Sequence, residues 1–221
     1  MTALGPLSEE LYERGWICHE TGLSNEAELA AAVLATARDL GAIMKGRRGA
    51  YVERLESLEG DNAPAASLSA QFGRSRFPFH VDMAHLSTPC RYIVLGCGFA
   101  EERPAATLIQ SVADLKFSPE EADCLRNGVF LVRNGRRSFY ASVLSEKQYY
   151  FRWDPGCMLA KDDYASSAQA AIERELGDIE PVRHHWKVGA ILVLDNWKLL
   201  HGRESCDREG ARRVIYRSSV S

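Results

Sequence analysis

Short runs rich in β-branched and aromatic residues, bounded by glycine, asparagine and aspartate, set the limits on what this chain can fold into. RYIVLGC (91–97), GVFLVRN (128–134) followed by Gly135, QYYFRWD (148–154), PVRHHWKVGAILVLDN (181–196) and RRVIYR (212–217) each read as strands. Val188 and Gly189 mark a turn or bulge in the fourth. Helical spacing is confined to three places. From Ser24 to Leu40, Ser24 or Asn25 can cap, Glu26 and Glu28 occupy the first turn, and Leu29, Val33, Ala37 and Leu40 recur on one face before Gly41. In SPEEADCLRNG, Ser118 caps, Pro119 takes the first position, Glu121 completes a capping box and Gly128 ends the helix. A third helix spans about 163–176 and stops at Gly177. Helices therefore decorate strands without alternating with them, and the expected fold is mainly β with flanking helices, a β-barrel or jelly roll. A doubly wound fold is the alternative, and it lacks a glycine-rich phosphate loop after a first strand.

A chain of 221 residues with 46% hydrophobic content suits one domain, residues 1–221. Its 27 basic and 30 acidic side chains leave a net charge of −3, so no basic field exists to attract nucleic acid or an anionic membrane. The expected partner is a small molecule. The start, MTALGPLSEELYERG, carries acids where a signal peptide needs an apolar core, and no run approaches the length of about 18 residues that spans a bilayer. Six cysteines without a CxxC pair suit buried thiols in a reducing compartment, and a cytoplasmic location is expected.

The stretch FPFHVDMAH (77–85) carries the chemistry. On a strand of period two, His80 and Asp82 face one side and Val81 the other, so an imidazole and a carboxylate can reach one ion. His85 falls out of that phase. Such a pair alone is more often a strand-end histidine beside an acid. A second cluster changes the balance: in LDNWKLLHGRESCDREGARRVIYR, His201 follows an apolar strand and precedes an arginine-rich one. Two histidines and one carboxylate form the facial triad that leaves open positions on ferrous iron. In the last strand Arg213, Ile215 and Arg217 share one face, with Arg212, Val214 and Tyr216 on the other, and a buried guanidinium calls for an anion such as a carboxylate.

FPFHVDMAH, then ATLIQ, then LDNWKLLHGR and ARRVIYR occur in an order and at separations that resemble the iron(II)- and 2-oxoglutarate-dependent dioxygenases of the taurine dioxygenase and clavaminate synthase-like group. The resemblance runs from about Gly15 to the C-terminus. It implies a double-stranded β-helix, a cupin-like jelly roll, with His80, Asp82 and His201 as iron ligands. It further implies that Arg213 and Thr107 hold the far carboxylate of 2-oxoglutarate, with Arg217 touching cosubstrate or substrate. Fe(II) would be the metal, and 2-oxoglutarate and O2 the cosubstrates. The implied activity is oxidation, chiefly hydroxylation, of an unactivated carbon of a small molecule such as an amino acid or natural-product intermediate, with release of succinate and CO2. Desaturation or cyclisation remain open, whereas the carboxylate of Asp82 disfavours the halogenation found in relatives that lack it. His85, Arg152 and Asp154 are candidate substrate contacts.

Two departures from the family pattern stand out. Trp197 and Lys198 occupy positions where many members carry arginines. Only about ninety residues separate Thr107 from His201, which implies a reduced covering insertion and either an open site or a lid built from 45–70. Two other readings compete: a non-catalytic sensor or partner-binding module of the same fold, which would be expected to lose part of the triad, and a zinc- or manganese-dependent cupin-like enzyme, which would not call for Arg213 and Thr107.

Overall fold

The computed structural model describes residues 5–46, 49–56, 71–144 and 149–221. In chain order, helix α1 (Gly5–Arg14) leads into strand β1 (Trp16–Glu20), helix α2 (Glu26–Leu40), β2 (Ile43–Met44), β3 (Glu53–Glu56), β4 (Phe77–His80), β5 (Tyr92–Ala100) and β6 (Thr107–Ser111). Then come α3 (Pro119–Asn127), β7 (Phe130–Val132), β8 (Phe139–Ala141), β9 (Met158–Ala160), α4 (Asp163–Asp178), β10 (Val182–His184), β11 (Ala190–Asp195), β12 (Leu199–Arg203) and β13 (Arg213–Val220). No helix among the described residues is long and apolar enough to cross a membrane.

Among the described residues the strands form three antiparallel sheets. The first runs β1-β11-β5-β13-β2 with β3 also on β13, the second β10-β6-β12-β4, and the third β8-β7-β9. The sequence of β11 explains how the first two meet. AILVLD is buried along its whole length, as expected of a strand covered on both faces. Leu192 and Leu194 join Ile93, Leu95 and Ile215 against Ile109 and Leu199 of the second sheet. Ile191 and Val193, pointing the other way, meet Leu29, Val33 and Ala37 of α2. Burying side chains such as Leu29 and Val33 contributes roughly 1.5–3 kcal/mol each.

The two best-marked helices begin and end where their caps require. Asn25 accepts hydrogen bonds from the amides of Ala27 and Glu28 at 2.9 and 3.1 Å. Ser118 and Glu121 close a capping box around the start of α3. Helix α4 departs from expectation: it passes through Gly177 to Asp178, where Ile179 N–H still bonds Glu175 O, because a lone glycine weakens a helix without forcing its end. Helix α1 is an addition, covering a segment that the sequence marked only by its acids; Leu11 is its buried anchor.

Of the expected strand QYYFRWD, residues 149–154 are described and are not a strand. Over 149–154 the backbone is irregular, yet Phe151, Arg152 and Trp153 are buried. Its polar groups bond outside any ladder: Arg152 N–H to Val143 O at 2.9 Å, and Trp153 O accepting from Val81 N–H at 2.7 Å. The aromatic content recorded burial, which strands share with other buried segments. Between β6 and β10, α3, α4 and the third sheet form a side layer whose core includes Phe130, Val132 and Ile172. That core is continuous with Phe79 and Val81, on either side of His80. The segment 57–70, most of the expected lid, lies outside the described residues.

Candidate active site

Strand β4 ends at His80, so Asp82 does not reach the site by strand alternation. Val81 turns its amide to Trp153, and Met83 has φ 59°, the left-handed conformation that a side chain disfavours. Asp82 nevertheless returns beside its neighbour, with Oδ1 3.5 Å from His80 Nε2. His201 arrives through the ladder: β12 pairs with β4 in a register that sets His201 opposite His80, the ring centroids 4.4 Å apart. One ligand atom from each of the three lies within 4.8 Å of the other two.

The surroundings set the charge of each group. Burial alone would raise the Asp82 carboxyl, but the Arg217 guanidinium and then the two histidines hold it well below the usual carboxylate range. Burial, reinforced by His80, pushes His201 down to about 3, so its imidazole is neutral. Burial also acts to lower His80, and the bond to Asp82 and the charges of Asp82 and Asp154 outweigh it, raising the group. His80 Nδ1 lies 2.9 Å from Pro78 O, which as a hydrogen bond puts a proton on Nδ1 and leaves Nε2 as the ring atom turned toward Asp82. His201 Nδ1 is buried without a hydrogen-bond partner among the described residues.

A second group of side chains is organised around Arg213, which is 8% exposed. Nη1 donates to Ala105 O and, at 3.1 Å, to Thr107 Oγ1; Trp186 Nε1 donates to the same hydroxyl at 3.0 Å. The indole ring of Trp186 lies against the guanidinium. Among the described residues no carboxylate pairs with Arg213, and burial lowers it to about 10. Arg217, next but one on the same face of β13, instead joins two acids: Nη1 donates to Asp82 Oδ2 at 2.7 Å and Nη2 to Glu53 Oε2 at 2.8 Å.

Arg152 is corrected from a substrate candidate to a support. It is fully buried, and its guanidinium donates to the carbonyls of Ala84, Leu86 and Ser87 and to the Tyr150 hydroxyl. It pins the turn after Asp82 from behind. Asp154 accepts from Gly156 N–H at 2.7 Å, and its charge acts on His80. His85 lies in the turn after Asp82, its carbonyl accepting from Asn134 Nδ2 at 3.0 Å. Trp197 and Lys198 act as fasteners: Trp197 Nε1 donates to Pro89 O at 3.1 Å, and Lys198 Nζ to Tyr12 O at 2.7 Å. Three further residues support the site: Glu53, Trp186 and Asn196, the last bonded to the backbone of Asp82.

No family model and no curated relative matches the chain. Solved structures do. An asparagine oxygenase in complex with Fe(II), 2S,3S-3-hydroxyasparagine and succinate superposes with a TM-score of 0.77 at 19% identity, over 97% of this chain and 77% of that one. The fold is that of a non-haem iron oxygenase. OrfP, a non-heme iron oxygenase in complex with Fe, succinate and (3S)-hydroxy-L-Arg, gives 0.75 at 13% identity, covering 100% of this chain and 81% of that one. PvcB, an Fe, alpha-ketoglutarate-dependent oxygenase from an isonitrile synthetic pathway, gives 0.70 at 19% identity, over 99% and 80%. This shared fold rests on the same mostly β framework, with helices outside the sheets, that carries His80 and His201 on adjoining strands.

Proposed function

We propose that this protein is an Fe(II)- and 2-oxoglutarate-dependent oxygenase, a single jelly-roll domain of the double-stranded β-helix type, that hydroxylates an unactivated carbon of a small molecule such as an amino acid. The observation that carries the reading is the convergence of His80, Asp82 and His201 within 4.8 Å, in a fold that also buries Arg213 on Thr107 with no carboxylate partner among the described residues.

The donor set fits ferrous iron. Two imidazole nitrogens and one carboxylate suit a metal that keeps positions for exogenous ligands. His201 Nδ1, buried without a hydrogen-bond partner among the described residues, and His80 Nε2, turned toward Asp82, support the same role for these rings. Bound iron with 2-oxoglutarate and O2 supplies oxidative decarboxylation, one oxygen atom entering succinate and the other the product, with CO2 released.

The chain's own groups have separate tasks. Among the described residues only Nη1 of Arg213 is engaged, which leaves Nε and Nη2 for an anion, and a guanidinium edge matches a carboxylate with two hydrogen bonds. Thr107 accepts from both Trp186 and Arg213, so its own proton is free to donate to that carboxylate. Arg217 aims the Asp82 carboxylate and is the proposed further contact to cosubstrate or substrate. Asp154 and His85, close to the ligand segment, are the proposed substrate contacts. The neighbours that support this substrate class contain hydroxyasparagine and hydroxyarginine.

Anaerobic addition of Fe(II) and 2-oxoglutarate to the purified protein tests the reading. A weak visible charge-transfer band is expected in the wild type and its loss in His201→Ala. Absence of the band in the wild type would sink the proposal.

A further inference from the structure

We infer that Asn196 is the positioning residue that gives Asp82 its place at the candidate metal centre; the inference rests on the metal-binding reading above. Asp82 needs such a device. It sits two residues beyond the end of the ladder in β4, followed by the left-handed Met83, so no strand neighbour fixes its peptide groups. Asn196 takes the place of that neighbour. Its Oδ1 accepts from Asp82 N–H at 2.9 Å, and its Nδ2 donates to Asp82 O at 3.0 Å. One side-chain amide thus grips both polar groups of one residue, as a facing antiparallel strand would. The second Nδ2 proton goes to Cys90 O at 2.7 Å, tying the end of the ligand turn to the start of β5.

Burial makes the grip strict. Asn196 is 1% exposed, so water cannot replace a lost bond, and each unpaired group would carry its desolvation cost. The residue is itself held: its N–H bonds Arg91 O at 2.7 Å, in the turn that joins β11 to the strand carrying His201. Asn196 therefore sets the distance between the segment that bears Asp82 and the segment that bears His201. Arg217 controls a different degree of freedom, the direction of the carboxylate.

Mn(II) binding to the apo-protein, measured from the electron paramagnetic resonance signal of free Mn(II), is the test. Asn196→Ala, and Asn196→Asp, which keeps the shape and one acceptor but loses both donors, are each expected to weaken Mn(II) binding by about tenfold to a hundredfold. Asn25→Ala, which removes the cap of α2 far from the site, serves as a stability control and is expected to leave affinity within about twofold. All proteins are compared below their unfolding temperatures. Wild type that binds no Mn(II) counts against the metal reading itself. Wild type and Asn196 variants of equal affinity, whatever their melting temperatures, overturn the role given to Asn196, as does failure of both variants to fold. If only the alanine variant fails to fold, the aspartate variant decides.

Discussion

Arg217 donates from Nη1 to Asp82 Oδ2 at 2.7 Å, and this bond holds the one carboxylate of the triad ionised in a buried place. Removing the guanidinium strands two acids, Asp82 and Glu53, without their cation. Arg217→Met is expected to destabilise the apo-protein by roughly 3 kcal/mol, the scale for breaking a buried pair from one side. Urea denaturation at neutral pH measures it. Glu53→Gln, which leaves the bond to Asp82 in place, should cost much less; equal losses would show that the pair with Asp82 has no special weight.

Arg152 makes a contrasting case, a buried cation whose partners are neutral oxygens. Four hydrogen bonds from its guanidinium to Ala84, Leu86, Ser87 and Tyr150 fix the turn after the ligand segment. Arg152→Ala is expected to cost about 3 kcal/mol or more, through lost charged hydrogen bonds and the cavity left behind. The same denaturation experiment reads it. A variant that unfolds at the wild-type midpoint while raising KM for a substrate would return Arg152 to the role of substrate contact.

These two arginines show what the sequence could and could not reveal. Helix α2 was legible because caps and apolar spacing agree within one short window, and β11 because an unbroken apolar run needs cover on both faces. His201 was legible from its setting between an apolar and an arginine-rich strand. Asp82 does lie beside His80, though not by strand alternation: the strand stops at His80, and a turn restrained from outside brings the carboxylate back. Glu53 and Asn196 left no local signal, since their partners Arg217 and Asp82 lie 164 and 114 residues away. In YYFRWD the aromatic content that suggested a strand reported burial of an arginine and three aromatics, Tyr150, Phe151 and Trp153, in irregular chain.

Close packing between α2 and β5 gives a prediction independent of the site. A Cβ added at Gly96 would lie 2.4 Å from Val33 Cγ2. Gly96→Ala is expected to destabilise by about 1–3 kcal/mol through overpacking. Val33→Ala opens the same space, so the double variant should be less destabilised than the sum of the two single ones. Thermal or urea unfolding of the four proteins checks the coupling, and simple additivity would refute it.

Acid should weaken the fold through histidines held neutral. Burial, then the charges of Arg213 and His185, pushes His184 down to about 4, against an unfolded value of about 6.5. Between those values the unfolded chain binds more protons than the folded one. Stability therefore rises with pH across this window and is lost as pH falls through it. His201, at about 3, acts in the same direction. His184→Gln should narrow the difference between denaturation midpoints measured near pH 4.5 and pH 7, and an unchanged difference would exclude His184 as a source.

Arg213 separates stability from function most cleanly. Its guanidinium is buried beside Thr107 and Trp186 with no carboxylate partner among the described residues, and burial has already lowered its pKa to about 10. A cation in that position is a cost to the empty fold and an asset only when an anion arrives. Arg213→Met fills similar volume without charge. The expected result is an apo-protein at least as stable as the wild type, with 2-oxoglutarate no longer producing the visible band in the presence of Fe(II) or raising the melting temperature. Thr107→Val, which keeps the cation but removes the hydroxyl that Arg213 and Trp186 share, should weaken 2-oxoglutarate binding by about tenfold, on the scale of one hydrogen bond to a charged group. If Arg213→Met instead unfolds the protein while the wild type gains nothing from 2-oxoglutarate, the arginine is a structural strut and the cosubstrate site lies elsewhere.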